Sequence, residues 1–398
     1  MSAALDYSEA LARWLAGAAP LGRDTVPLAA ARGRVLAEPV SARDALPPFD
    51  NSAMDGFALR MAGDVLAAGT EVALGGAQFA GDGPGAHAAE AIEITTGALL
   101  PDGYDAVVPV ERARREGDRL RLDEDVRRGQ HIRRRGEDVA AGSAVLPGGR
   151  WIDAETITML ASLGLAEVAV ARRPRVAVIS TGEELVDDAA QPLHPGQIRN
   201  GNRPGLAARI EAAGAECVYQ ATVGDDAEAL LAAIAAAEAA GAEIITSSGA
   251  VSMGRHDFVP ATLARLGANI LFHRLRMRPG KPLLAARLPS GAWYAGLPGN
   301  PVSAAVGFRF FVEPLLCRLL GLPDEQAVSL PLHAGLPGRG EFRFHLKARL
   351  RAEAGRISVE VLSGQESFRI APLLTATCWA IQPASDEALA AGDLIAVL

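Results

Sequence analysis

The chain has 398 residues, of which 49% are apolar and 22% charged, a globular balance that excludes intrinsic disorder and calls for more than one core. Its net charge of -8 argues against general affinity for nucleic acid, although a local basic pocket can exist inside an acidic protein. Cys217, Cys317 and Cys378 are far apart and the seven histidines are scattered without metal-ligand spacing, which argues against a disulfide framework and a His/Cys metal centre.

The first segment carries Asp6, Glu9 and Arg13 among alanines. It reads as an amphipathic helix with Ser8 as N-cap ahead of Leu11, Trp14 and Leu15, not as a signal peptide. No uncharged apolar run reaches the roughly 20 residues that span a bilayer, so a soluble, cytoplasmic protein with no membrane partner is expected. A second helical stretch is expected to end near Gly33-Arg34, where Pro39, Pro47 and Pro48 follow. Residues 47–144 have short apolar runs, many glycines and turn pairs such as Gly75-Gly76 and Asp102-Gly103, the texture of a β insert. Arginines crowd residues 112–121 and 127–135 with acids between them, which reads as a solvated face. Residues 153–163 look helical again, so 1–46 and 145–174 are expected to form one helical linker domain split by the insert.

From residue 175 strands alternate with helices. Strands are expected at 176–180, 215–223, 243–247 and 270–274, and helices at 204–213, 226–240, 258–266 and 302–320. That spacing implies βαβ units and a parallel sheet in an α/β domain spanning 175–325. Beyond Pro323, runs at 343–350, 356–361 and 393–397 suggest a small C-terminal β domain, 326–398.

In an open parallel sheet ligands sit at the carboxyl ends of strands, and four segments here lie at such ends. Ser180-Thr181-Gly182-Glu183-Glu184 offers hydroxyl and backbone donors to an anion, or is an ordinary capping box. Ser247-Ser248-Gly249-Ala250 lets backbone N–H groups converge on a phosphate, with Asp257 beyond it. Asp257, Asp225 and Asp226 could together hold a magnesium ion shared with phosphate oxygens, although each alone reads first as a cap or surface charge. Arg278-Pro279-Gly280-Lys281-Pro282 fixes two positive charges near each other. In Pro298-Gly299-Asn300-Pro301-Val302-Ser303, Asn300 is a candidate N-cap and Pro301 the first helical residue. Together the four segments point to an anionic, phosphate-bearing small molecule.

Three further motifs lie in the insert: Asp50-Asn51-Ser52-Ala53-Met54-Asp55-Gly56-Phe57-Ala58, Thr95-Thr96-Gly97-Ala98, and Arg133-Arg134-Arg135-Gly136-Glu137-Asp138. With the four α/β segments, in this order and spacing, they make the chain resemble the molybdopterin molybdenumtransferase family, with its plant and gephyrin E-domain relatives, from about residue 5 to the end. The resemblance implies four domains (helical linker, β insert, pterin-binding α/β domain, β-barrel-like C-terminal domain) and an elongated homodimer whose cleft is completed by the partner's β insert. It implies hydrolysis of adenylated molybdopterin and insertion of molybdate, giving molybdenum cofactor and AMP with magnesium or a similar divalent cation assisting. Transient contacts with the upstream adenylyltransferase and with apo-molybdoenzymes would follow.

On that resemblance Glu184, Asp225 and Asp257 would bind the metal ion or position ligands around the phosphates. Gly249, Arg278 and Lys281 would hold phosphate and molybdate oxygens, and Asp55, Thr96 and Asp138 would act from the partner subunit. Ser180, Thr181, Gly182, Ser247, Ser248, Pro298, Gly299, Asn300, Pro301 and Ser303 would line the substrate site, with Arg339, Arg343 and Ser367 reaching it from the C-terminal domain.

The chain departs from the family pattern in three places. Ala250 replaces the second glycine of Ser-Gly-Gly, which puts a Cβ on a backbone suited to the left-handed region. Arg278 replaces the first lysine of K-P-G-K-P. The family's E-F-x-R reads Glu341-Phe342-Arg343-Phe344, so the arginine is one place early and faces the other side of a strand, with Arg339 or a local bulge as compensation. A non-catalytic scaffold on the same fold, and an enzyme acting on a related pterin adenylate, are the alternatives.

Overall fold

The computed structural model describes residues 4–251 and 258–398, so Asp257 lies outside the described residues. The chain divides into two compact units. The first comprises Gly33–Ala37 and Ala169–Leu398 together with the chain up to Thr25; the second comprises Val26–Arg32 and Glu38–Val168.

Helix α1 (Tyr7–Leu15), in the first unit, is capped by Asp6 and not by Ser8: the Asp6 carboxylate accepts the Glu9 N–H at 3.0 Å. Its Ala10, Trp14 and Leu15 are buried. The expected second helix is absent. Arg23–Pro27 is extended and only the short 3-10 turn Leu28–Ala30 follows, because β-branched Thr25 and Val26 and the ring of Pro27 disfavour a helix.

The second unit is built on a six-stranded sheet. Its strands are β1 (Gly56–Leu59), β2 (Glu71–Gln78), β3 (Ala91–Ile94), β4 (Ala106–Pro109), β5 (Ala113–Glu116) and β6 (Arg119–Leu122), in the order β4-β1-β3-β2-β6-β5. Only β2 and β3 run parallel. Alternation along β1 sends Phe57 and Leu59 into one core and Ala58 into another. Gly56 is required where β1 meets β4, since a Cβ there would collide with the Val108 carbonyl oxygen. The arginines of β5 and β6 pair with acids across the surface, as Arg114–Asp123 at 3.0 Å and Arg119–Glu71 at 3.2 Å do, which is the solvated face expected of that run. Helix α2 (Ala154–Ser162), capped by Asp153, also belongs to this unit.

The first unit contains a second six-stranded sheet. Its strands are β7 (Arg175–Thr181), β8 (Glu216–Val223), β9 (Ile244–Ser248), β10 (Asn269–His273), β12 (Leu284–Arg287) and β13 (Trp293–Leu297), with the short β11 (Met277–Arg278) lying outside it. The order β8-β7-β9-β13-β12-β10 is parallel through β13 and antiparallel after it, so the sheet is mixed and not wholly parallel. Helices α3 (Asn202–Ala212), α4 (Ala227–Ala239), α5 (Val259–Arg265), α6 (Pro301–Gly307) and α7 (Glu313–Leu319) cover it. Period-2 alternation along β7 serves both faces. Val176 and Val178 pack with Leu206 and Ile210 of α3 and with Leu315 of α7, whereas Ala177 and Ile179 pack with Leu230, Ile234 and Leu263 of α4 and α5.

Between α6 and α7 the helix widens into a π turn, Phe308–Val312. Pro314 has no N–H to offer the Phe310 carbonyl. The Tyr7 hydroxyl reaches that oxygen at 3.3 Å and Trp14 Nε1 donates to the Phe311 carbonyl at 2.8 Å, so α1 is fastened to the oxygens left open by the turn.

The chain closes in a third sheet of β14 (Val328–Pro331), β15 (Arg343–Glu353), β16 (Arg356–Val361), β17 (Cys378–Gln382) and β18 (Leu394–Val397), ordered β11-β15-β17-β18-β14, with β16 on β15. Strand β11 joins it in parallel, Met277 opposite Arg343 and Arg278 opposite Phe344. The Arg278–Lys281 turn is thereby seated against the C-terminal sheet. Among the described residues no helix is long and apolar enough to cross a membrane, and all three cysteines are free thiols.

Candidate active site

The carboxyl ends of β7, β9 and β13 come together because their registers match: Ser180 lies opposite Ser248, and Ser248 opposite Leu297. Past these ends is a cavity of about 420 Å³ lined by Thr181, Gly182, Glu184, Asp225, Ser248 and Gly249, and closed by Ala250, Gly299 and Asn300. The two glycine turns permit it. Gly249 has φ +105°, and a Cβ there would stand 2.5 Å from the Thr181 carbonyl oxygen; a Cβ on Gly182 would meet Glu184 Oε2 at 2.5 Å. Neither the Glu184 nor the Asp225 carboxylate has an ion-pair or hydrogen-bond partner among the described residues. Two unpaired carboxylates beside donor-rich turns favour a ligand that brings both anionic oxygens and a cation.

Ser180 and Ser247, expected as substrate contacts, lie beneath this cavity. Both are buried; Ser180 Oγ is 3.2 Å from Ser248 Oγ and 3.3 Å from Asn200 Oδ1. Asn200, which sequence analysis missed, also donates from Nδ2 to Thr222 Oγ1 and Asp187 Oδ1, each at 3.0 Å. It holds the ends of β7 and β8 together. Asn202 Nδ2 donates to the Gly299 carbonyl at 2.8 Å and ties the fourth turn to α3. Asn300 occupies the cap position of α6 with Pro301 as its first residue, but the Asn300 side chain makes no capping bond. Its side chain is therefore available to the cavity.

Ala250 adopts φ +51°. Alanine in this region costs about 1–2 kcal/mol relative to its ordinary conformation, whereas glycine costs about 0.5–1 kcal/mol in chain entropy. The strain term is larger, so Ala250→Gly is expected to raise the urea unfolding free energy by about 0.5–1 kcal/mol; a lowered midpoint at unchanged m-value would contradict this.

A second cavity, of about 430 Å³, shares Asn300 with the first and is lined by Arg278, Lys281, Ser303, Arg339 and Ser367. Phe342, unnoticed as a site residue in the sequence, supports its two turn cations: the Arg278 guanidinium lies 4.3 Å and Lys281 Nζ 5.6 Å from its ring centroid. Arg339 stacks on Phe344 at 4.4 Å and donates from Nε to Gln382 Oε1 at 3.1 Å. None of the three cations has a carboxylate partner among the described residues. Glu366 also lines the cavity but pairs with Arg369 at 3.0 Å, so the cavity is net positive and suits a small anion.

Arg343 requires a correction. It is not at this cavity; its guanidinium lies over the Tyr7 ring at 4.3 Å, in a separate recess with Asp6 and Arg276. The cause is the strand period: Arg343 and Phe344 face opposite sides of β15, and Phe344 takes the cavity side. Arg339, arriving from the turn before β15, supplies the cavity's guanidinium instead.

Between these two faces sits His345, almost fully buried and stacked on Phe310 with ring centroids 4.1 Å apart. Neither ring nitrogen has a partner. Burial, and then the nearby Arg343 charge, push its pKa down from 6.5 to about 3. The imidazole stays neutral in the folded protein but takes up a proton when unfolded, so stability is full above about pH 6.5 and falls by about 1.4 kcal/mol per pH unit as pH drops toward 3. Urea titrations between pH 7 and 4.5 are expected to lose this slope in His345→Phe; an unchanged slope would remove His345 as its source.

In the second unit the three insert motifs meet. The Thr96 N–H donates to Asp55 Oδ1 at 2.7 Å, and this bond, with one from the Thr96 side chain, holds the exposed Asp55 carboxyl below its usual range. Ser52 exchanges backbone bonds with the Thr95–Ala98 turn, through Ser52 N–H to Ala98 O at 3.0 Å and Gly97 N–H to Ser52 O at 2.8 Å. The third motif is tied in through Asp50, which accepts the Arg135 N–H at 2.7 Å and pairs with Arg134 Nη1 at 2.6 Å. Asp138 is exposed, and its N–H donates to the Leu46 carbonyl at 3.0 Å. The result is a rigid surface that presents Asp55 as an ionised carboxylate. No three His, Cys, Asp or Glu side chains gather as a metal-ligand set among the described residues.

Residues 5–164 match the MoeA N-terminal region (domain I and II), and residues 177–318 match a family described as a probable molybdopterin binding domain. A molybdopterin molybdenumtransferase of Synechococcus elongatus is 38% identical over 99% of this chain and 99% of its own length. Molybdopterin molybdenumtransferase 2 of Mycobacterium tuberculosis is 40% identical over 84% of each chain. A solved structure, the moeA molybdopterin biosynthesis protein of Pyrococcus horikoshii OT3, has a TM-score of 0.84 at 27% identity and covers 99% of both chains. By full-length similarity in sequence and in fold, this chain belongs to the molybdopterin molybdenumtransferase (MoeA) family.

Proposed function

We infer that the chain is a molybdenumtransferase of molybdenum cofactor biosynthesis that cleaves adenylated molybdopterin and inserts molybdate, releasing AMP and molybdenum cofactor. The observation that carries this reading is a pair of cavities that share Asn300 in their walls, one with hydroxyls, backbone turns and two carboxylates, the other lined by three cations, none of these charges paired among the described residues. The first suits the phosphates of an adenylate; the second suits a tetrahedral oxyanion. With Asn300 between them the two substrates would lie as neighbours, so catalysis is mostly positioning and electrostatics.

Water adds to a phosphorus of the phosphoanhydride, the bridging oxygen leaves with its electron pair, and AMP departs. Thr181, Ser248 and the Gly249 turn bind the phosphate oxygens. Arg278, Lys281, Arg339, Ser303 and Ser367 hold molybdate until the two dithiolene thiols replace two of its oxygens, which leave as hydroxide or water carrying the thiol protons. Glu184 and Asp225 fit a magnesium ion, which takes one or two carboxylates and completes its shell with phosphate oxygens and water. When bound, such an ion would neutralise phosphate charge. Asp55, Thr96 and Asp138 are assigned to the cleft of a second copy in a homodimer, and the enzyme is placed in the cytoplasm, where it would meet the adenylyltransferase upstream and apo-molybdoenzymes downstream.

The experiment is transfer to an acceptor: protein, adenylated molybdopterin, magnesium and molybdate are incubated, and an apo-molybdoenzyme is then added. Acceptor activity that requires all four components supports the assignment. An inactive acceptor beside a positive control with isolated cofactor contradicts it.

A further inference from the structure

Lys347 lies in the middle of β15 and is fully buried, yet no carboxylate pairs with it among the described residues. Its Nζ is instead surrounded by the main chain of the segment that follows β16. It donates to the carbonyl of Gly364 at 2.6 Å and of Arg369 at 3.1 Å, with the Glu366 carbonyl at 3.4 Å. The same segment is latched a second time. Gln365 Oε1 accepts the Lys347 N–H at 3.0 Å, and Gln365 Nε2 donates to the carbonyls of Lys347 and Leu362, each at 2.8 Å. On the far side, the Ser367 carbonyl accepts the Val302 N–H of α6 at 3.0 Å.

A buried ammonium costs several kcal/mol in desolvation unless its donors are satisfied, and here only backbone carbonyls satisfy it. The cage therefore has a defined geometry. In a planar trans peptide the C=O and N–H point in opposite directions. Because the Glu366 carbonyl faces the ammonium, the Ser367 N–H faces away from it. That N–H makes no hydrogen bond among the described residues, and Ser367 lines the cationic cavity.

We propose that Lys347 is a positioning residue for the oxyanion cavity: its ammonium gathers the carbonyls of Gly364, Glu366 and Arg369 inward, which turns the Ser367 N–H and hydroxyl outward as preformed donors to the anion beside Lys281. The inference rests on the assignment of that cavity to molybdate, and deepens it. Burial lowers the lysine's pKa, which makes the cage dependent on those carbonyls to keep it charged.

The test compares Lys347→Met, Ser367→Ala and the double variant with the wild-type enzyme, measuring kcat and molybdate KM after thermal melts establish that each is folded. Lys347→Met is expected to raise molybdate KM about tenfold with little change in kcat, the loss of one or two charge-assisted donors to the anion. The double variant is expected to be no worse than Lys347→Met alone, because that variant already withdraws the hydroxyl that Ser367→Ala removes. A wild-type KM in folded Lys347→Met, or additive losses in the double variant, overturns the proposal. If Ser367→Ala alone leaves molybdate KM unchanged while Lys281→Met raises it, the cavity assignment stands and the Ser367 hydroxyl is refuted as a donor; if neither variant moves KM, the cavity assignment itself fails. Should Lys347→Met not fold, hydrogen exchange of the wild-type protein decides. Protection without molybdate of the Arg369 and Val302 N–H groups, which donate to the Glu366 and Ser367 carbonyls, fits a preformed cage, and protection of them that arises only with molybdate overturns it.

Discussion

Asp55→Ala is expected to reduce turnover by about 10³-fold or more while leaving the melting temperature unchanged. The separation of the two effects follows from where the residue sits. Its carboxylate is fully exposed and carries no core packing, yet the Thr96 N–H holds it ionised and aimed. If it serves the cleft of a second copy, Asp55→Ala mixed with Lys281→Met regains activity, since each mixed dimer assembles one intact site. Random exchange makes half of the dimers mixed, with one of two sites working, so about a quarter of wild-type activity is expected. Activity that stays at the sum of the two inactive parents after subunit exchange would place each insert at its own chain's cleft.

Lys281→Met is the second large effect. Lys281 is a compact cation on a turn fixed by Pro279 and Pro282, held against Phe342 and free of any carboxylate among the described residues. Such a charge is left without a counter-ion among the described residues, which suits it to an anionic ligand. Removing it is expected to lower kcat/KM for molybdate by about 10²–10³-fold, mostly through KM, with the affinity for adenylated molybdopterin little altered. Lys281→Arg keeps the charge but spreads it over a planar fork, so only part of the loss is expected to return. Equal loss of affinity for both substrates would mean that the cationic cavity serves the adenylate and not the oxyanion.

Much of this site is legible in the residue order. Ser180-Thr181-Gly182, Ser247-Ser248-Gly249 and Pro298-Gly299-Asn300 follow β-branched or apolar runs, and such runs end as strands whose carboxyl ends share one edge of a sheet. That same reasoning cannot tell which hydroxyl in each pair reaches the cavity. All four hydroxyl residues are buried, yet only Thr181 and Ser248 line the cavity, because each is the last residue of its strand and Ser180 and Ser247 lie one place further in.

Strands β12 and β13 escaped notice for a different reason. Trp293–Leu297 is buried throughout, so it has no polar alternation to announce it. The helix expected before Gly33 failed because alanine-rich composition suggested one, whereas Thr25, Val26 and Pro27 decide the local backbone. The helical continuity of 302–320 was readable, but the π turn was not. There Tyr7 and Trp14, some three hundred residues away, donate to the Phe310 and Phe311 carbonyls, contacts that the local sequence does not announce. Lys347 was invisible for a similar reason. A lysine in an alternating strand reads as an outward charge, and only the folded 364–369 segment gives it a buried role.

The most direct measurement of the central claim is AMP release from adenylated molybdopterin by the purified protein with magnesium, with and without molybdate. Release that depends on molybdate is the predicted result, because the two cavities share Asn300 in their walls and the proposed function puts one substrate in each. No AMP release from a folded protein that binds the adenylate, with or without molybdate, would contradict the account.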